Sequence, residues 1–162
     1  MSAVTMNHIT LRNMQIESAI KRHGIIIHGV SNFAYSTGMT NYGLPEIIIT
    51  TMSQRTQANL INHFFHKWLE EGVDLKSVEP MFEKRDGSDA LMKFEKLSVS
   101  GELTDKYVCQ TIAYYQENFH LAQNGVSFVQ LVFADHNDHY PDHPEYDHKG
   151  VPQKIFKKLT LN

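Results

Sequence analysis

A chain of 162 residues, 41% hydrophobic and 20% charged, is long enough to bury one continuous core and matches globular averages, which argues against disordered and fibrous classes. A formal net charge of -3, with no Lys/Arg-rich run, offers no field to draw in a nucleic-acid backbone, and no apolar run approaches the roughly 18 residues of a membrane span. The segment 1–12 lacks the basic, apolar and small-residue succession of a secretory signal, and a lone Cys109 forms no internal disulfide, so a cytoplasmic, reducing setting is expected.

Leu11, Met14, Ile16, Ala19 and Ile20 recur near helical spacing, with Thr10 placed to cap the start and Gly24 to end the turn, which predicts a helix over about 11–23. The β-branched run 24–30, bounded by glycines, predicts a strand joined tightly through Ser31 and Asn32 to a second over 33–36. Gly38, Asn41 and Gly43 make 37–44 a loop, after which Pro45 opens a strand over 46–51. Ile47, Ile48 and Ile49 do not alternate with polar residues, the pattern of a central strand covered on both faces.

Ser53 is a natural N-cap for a helix over 54–71, with Ala58, Ile61, Phe64, Phe65 and Trp68 on one side and Gly72 at the end. Asp86-Gly87 divides 81–99 into the arms of a hairpin, with Met81, Phe82, Leu91, Met92, Phe94 and Leu97 as its buried side. Thr104 is placed to cap a third helix reaching about Phe119, with Tyr107, Val108, Ile112, Tyr115 and Phe119 on its apolar face. A buried strand follows over 126–133, and 134–150 is polar loop. With no repeats and no low-complexity linker, the expectation is a single α+β domain over 1–162. Its order, α-β-β-β-α-β-β-α-β, implies a mixed sheet flanked by about three helices.

Ten histidines are the compositional oddity, and four of them fall within 136–148. Together with the five acids of 135–148 they supply ligand types for a divalent transition metal, and His136, His139 and His143 are the candidate ligands. Their spacing matches no established signature, and Pro141 and Pro144 rule out a helix that would align them. The rival reading is a rigid, solvated proline turn in which Asp side chains hold backbone amides.

The second candidate is the loop 33–46, whose Tyr35, Ser36, Thr37, Thr40 and Tyr42 offer hydroxyls. Glu46, beside three isoleucines, must be solvated, or accept hydrogen bonds from the loop's own amides, or serve as a ligand-gripping or catalytic carboxylate. His63, His66 and Glu70 share one helical face and are read as its wet side, whereas His28 is read as a hydrogen-bonded core histidine. No Walker or dinucleotide glycine loop and no Gly-x-Ser-x-Gly elbow is present, and His8-Ile9-Thr10 has no second His-x-Thr partner.

Two blocks carry a family resemblance. Phe33-x-Tyr35-Ser36-Thr37-Gly38-Met39 followed by Pro45-Glu46, and Gln130-Leu131-Val132 followed by Asp135, Tyr140-Pro141 and Tyr146-Asp147, are similar to the motifs of domain of unknown function 4262. That family occurs in bacteria and phages, and the resemblance covers about 23–156. The chain departs from the pattern where Asp138 stands for the usual glycine, Asp142 for a tryptophan, and Pro152-Gln153 reverses a Gln-Pro. The resemblance implies no activity, but its motif regions coincide with the two loops picked out by chemistry.

The leading expectation is a pocket for a small polar molecule between loops 33–46 and 130–147, lined by Tyr35, Ser36, Thr37, Glu46, Gln130 and Asp135. The family's occurrence in phages points to a nucleotide signal as ligand. The alternatives are a metal-dependent hydrolase, in which the loop histidines with Asp135 and Glu46 hold the metal, and an interaction module using Tyr42, Tyr140 and Tyr146.

Overall fold

The computed structural model describes residues 8–160, without the side chains at 8 and 9. The signal reading of 1–12 and the His-x-Thr reading of 8–10 therefore lie largely outside the described residues. Helix α1 (His8–His23) leads into β1 (Ile26–Val30) and β2 (Phe33–Thr37), and a 3-10 turn, Met39–Tyr42, precedes β3 (Glu46–Ile49). After α2 (Gln54–Glu71) come β4 (Phe82–Glu83), β5 (Asp89–Ala90) and β6 (Met92–Lys96), then a π turn, Leu103–Tyr107, α3 (Cys109–Phe119) and β7 (Phe128–Phe133).

The main sheet has the order β1-β2-β3-β7-β6. All pairs are antiparallel except β3 with β7, which run parallel with Glu46 opposite Phe128 and Ile48 opposite Gln130. β3 is central and buried on both faces, as its unbroken isoleucines predict. Ile47 and Ile49 pack with Leu60, Ile61, Phe64, Phe65 and Trp68 of α2. Ile48 faces the opposite layer with Tyr35, Phe128 and Tyr115, closed by α3 and the C-terminal Phe156. The result is the expected mixed sheet with helices on both faces. Among the described residues, no helix is long and apolar enough to cross a membrane.

The structure corrects several local expectations. Thr10 lies inside α1, where its hydroxyl donates to Glu117 (3.2 Å), and is not a cap. The Asp86-Gly87 turn closes only the small β4–β5 ribbon, while β6 leaves it to pair with β7; Met81 and Leu91 consequently stay exposed. The third helix is broken at Val108. Leu103 and Val108 are both buried, and an i to i+5 turn, with the Val108 amide donating to the Leu103 carbonyl, places residues five apart on one face. Thr104 donates to the Gly101 carbonyl and caps nothing, and Phe119, at the end of α3, is exposed.

Candidate functional site

Loop 37–45 folds around Glu46, which is fully buried. Its carboxylate accepts the Met39 and Thr40 amides at 3.2 and 2.8 Å, the Ser36 hydroxyl at 2.7 Å and the Thr40 hydroxyl. Ser36 Oγ in turn accepts the Ile47 amide at 3.0 Å. Burial pushes the Glu46 carboxyl up, and the bonds from Thr40, Ser36 and Met39 work against that push. The carboxylate thus closes the 3-10 turn by taking its free amides. Gly38 serves the same closure: its φ is +119°, and a Cβ there would stand 2.8 Å from the Gly24 carbonyl oxygen.

Tyr35 and Thr37 face the α3 layer. His28 Nε2 lies 2.8 Å from Thr37 Oγ1, which lies 2.8 Å from Thr111 Oγ1, and Thr111 donates to the Ser36 carbonyl at 2.8 Å. Arg12 approaches His28 Nδ1 at 3.3 Å. A guanidinium only donates, so Nδ1 accepts and Nε2 carries the ring proton, and the chain of donors runs from His28 through both threonines to the backbone. Burial, then the Arg12 charge, drives the His28 pKa down to about 3.

Gln130 and Asp135 are equally buried. Gln130 Nε2 donates to Thr50 Oγ1 (3.2 Å) and to the Lys154 carbonyl (2.6 Å), and its Oε1 accepts the Phe156 amide at 3.4 Å. Asp135 organises the loop that follows β7: one oxygen accepts the Asn137 and His139 amides, each at 2.9 Å, and the other the Asp147 amide at 2.8 Å. Burial opposes that charge, but the three amides outweigh it and hold the Asp135 carboxyl below its ordinary range. Asp138, in place of the family glycine, adopts φ +63° and pairs with Lys84 at 2.6 Å.

These residues do not converge on one pocket. Because β3 and β7 are parallel, the loop before β3 and the loop after β7 lie at opposite ends of the sheet, roughly 20 Å apart along the strands. Tyr35, Ser36, Thr37, Glu46, Gln130 and Asp135 all belong to the interior, so the pocket expected between loops 33–46 and 130–147 is not formed. Glu46 likewise stands away from the histidine loop and is no partner to a metal there. Tyr146 is buried, its hydroxyl donating to the Val151 carbonyl, which removes it from the expected interaction surface.

Each end of the sheet has its own cleft. At the amino ends of β3 and β7 a cleft of about 740 Å³ is walled mainly by aliphatic residues, among them Leu44, Val73, Leu97 and Val126. At the carboxyl ends a crevice of about 880 Å³ opens between Thr50–Gln54, the Ser31–Asn32 turn, Lys106–Tyr107 and Pro152–Lys154. No Asp or Glu lines it, and it receives Lys106, His148 and Lys154, whose ammonium also pairs with Glu102 at 2.5 Å. Phe33 and Tyr107, with ring centroids 4.7 Å apart, supply an aromatic wall. Its floor includes Met52, a non-glycine residue held at φ +74°, followed by Ser53, whose side chain accepts the Thr56 amide to cap α2. Thr50 Oγ1 donates to the Lys154 carbonyl at 2.7 Å, and the buried Gln130 bonds to both.

Lys106, Tyr107 and Lys154 carry no local motif and are brought in from separate segments, so the sequence does not single them out. The one signal present is a capped helix directly after the carboxyl end of a central strand, the position at which open α/β sheets bind ligands.

In the loop after β7, the rings of His139 and His143 stack at 3.9 Å with planes 1° apart, and Glu145 lies beside them. His136 turns instead toward Asp147, 3.6 Å away. The loop therefore separates His136 from the other two candidate ligands.

No curated protein and no solved structure matches the chain. A family model does match, over residues 19–147, taking in both motif blocks together with the sheet, α2 and α3 that separate them. The chain belongs to the family described as domain of unknown function (DUF4262).

Proposed function

We propose that the protein binds a small polar molecule bearing negative charge in the crevice at the carboxyl ends of β3 and β7. The supporting observation is the composition of that crevice: Lys106, Lys154 and His148 with no carboxylate among its lining residues, Lys154 being also paired with Glu102 at 2.5 Å, and hydroxyl and amide groups from Ser31, Asn32, Thr50, Thr51 and Gln54. A volume of about 880 Å³ suits a metabolite. The amino end of the 18-residue α2 adds a partial positive charge on the same side. The Phe33–Tyr107 wall favours a ligand with a flat ring, and a nucleotide combines such a ring with charge.

The test is to heat-denature the purified protein, identify any released compound by mass spectrometry, and measure thermal shifts. The probes are adenosine and guanosine mono-, di- and triphosphates and inorganic phosphate. The reading expects a released anion or a concentration-dependent rise in melting temperature, lost in the Lys106→Ala/Lys154→Ala double variant and kept in Lys96→Ala at the opposite end. An empty protein that no probe stabilises, or a shift indifferent to both lysines, overturns it.

A further inference from the structure

We propose that the loop following β7 is a binding site for a divalent transition metal, with His139, His143 and Glu145 as its ligands. One donor atom from each of the three lies within 4.8 Å of the others. The backbone sets that grouping: the His143 amide donates to the Tyr140 carbonyl and the Tyr146 amide to the His143 carbonyl, two consecutive turns around Pro141 and Pro144. Helical spacing would have missed it, because the loop is not helical.

His139 supplies an independent observation. Its Nδ1 is buried and has no hydrogen-bond partner, and the nearest carboxylate, Asp135 Oδ2, stands 3.9 Å away. A histidine with Nδ1 toward a fixed carboxylate and Nε2 turned away from it has the orientation of metal-ligating imidazoles backed by an acid. Asp135 is itself fixed by three amides, so this backing is set before any ion arrives. Two imidazoles and one carboxylate suit zinc, cobalt or nickel and leave a coordination position for water.

Binding requires one movement. Stacked rings point their nitrogen lone pairs along parallel planes, so no ion sits at about 2.0–2.1 Å in the plane of both. His143 is exposed; turning its ring parts the stack with His139 and releases the Glu145 amide that Nδ1 accepts at 3.0 Å. His136 is outside the set because it faces Asp147.

The test uses the full chain, stripped with a chelator and then titrated with Zn²⁺ by calorimetry and with Co²⁺ by visible absorption. One ion per chain is expected. His139→Ala, His143→Ala and Glu145→Gln should each weaken binding more than about tenfold, while His136→Ala leaves it unchanged. His143 and Glu145 are exposed, so their variants keep the fold whatever His139→Ala does. Absence of stoichiometric uptake overturns the site, and so does equal weakening by His136→Ala and His143→Ala, which marks nonspecific chelation by a histidine-rich surface. An unchanged affinity in Glu145→Gln overturns the ligand set. None of these outcomes bears on the crevice.

Discussion

Gln130 Nε2 donates to the Lys154 carbonyl at 2.6 Å, fastening β7 to a C-terminal segment that has almost no regular structure of its own. The same amide group holds Thr50 Oγ1 and the Phe156 amide, so one side chain joins β7 to the end of β3 and to the C-terminal segment. Gln130→Leu keeps the bulk and leaves the Phe156 amide without its acceptor, while Thr50 Oγ1 still donates to the Lys154 carbonyl at 2.7 Å, and should cost about 1–2 kcal/mol in denaturant unfolding. Hydrogen exchange at 154–159 should quicken more than elsewhere; equal protection in variant and parent would show that the tie is not what holds the segment.

His28 predicts a pH dependence. Its folded pKa of about 3 lies below the ordinary 6.5, so as pH falls the unfolded chain takes up the proton first. Its contribution to stability is complete above pH 6.5 and is lost between 6.5 and about 3, with a slope of up to about 1.4 kcal/mol per pH unit. His28→Gln keeps a donor for Thr37 and cannot titrate. The difference in unfolding free energy between parent and variant should be flat above pH 7 and shrink below 6.5; a constant difference down to pH 4 counts against the buried neutral imidazole.

Glu46→Gln sets an amide group against a site built from donors. The Met39 and Thr40 amides and the Ser36 and Thr40 hydroxyls then compete for one remaining oxygen. A loss of about 2–3 kcal/mol is expected, which for a chain of this size lowers the melting temperature by about 5 °C or more in calorimetry. An unchanged melting temperature would falsify the role given to this carboxylate.

Asp135→Ala removes the acceptor of three amides spread over 137–147. The expected result is local opening: rapid exchange at the Asn137, His139 and Asp147 amides and protease cleavage within 136–147, with about 1–3 kcal/mol lost globally. Resistance to cleavage equal to the parent would mean that the proline turns alone fix the loop.

Asp138→Gly restores the family residue at a left-handed position. The φ of +63° relaxes, a gain of about 1 kcal/mol, while the ion pair between Asp138 and the partly buried Lys84 is lost. The two nearly cancel, so stability should change by less than about 1 kcal/mol, as urea unfolding can check.

Much of the fold is legible in the residues. The triple isoleucine after Pro45 marks a strand buried on both faces, and Ser53 and Gly72 bound α2 at the residues where it begins and ends. The break at Val108 is not legible, because it depends on where Leu103 and Val108 meet a core built by other segments. Of the candidate site, the sequence marks Glu46, Gln130 and Asp135 as ligand-binding residues, and the structure places each in the interior, buried and multiply bonded. Each bonds to chain segments of this protein, a distinction that residue type alone does not carry.

By itself the sequence determined the α+β class, the main strands and α2, since hydrophobic periodicity, caps and turn residues act over a few positions. Only the tertiary structure decided that β3 and β7 lie parallel, which sends the two motif loops to opposite ends of the sheet. It also decided that Lys106, Tyr107 and Lys154 gather beside the start of α2. Strand pairing and crevice composition are relations between distant segments, fixed by burial of both sheet faces at once, and no local pattern encodes them.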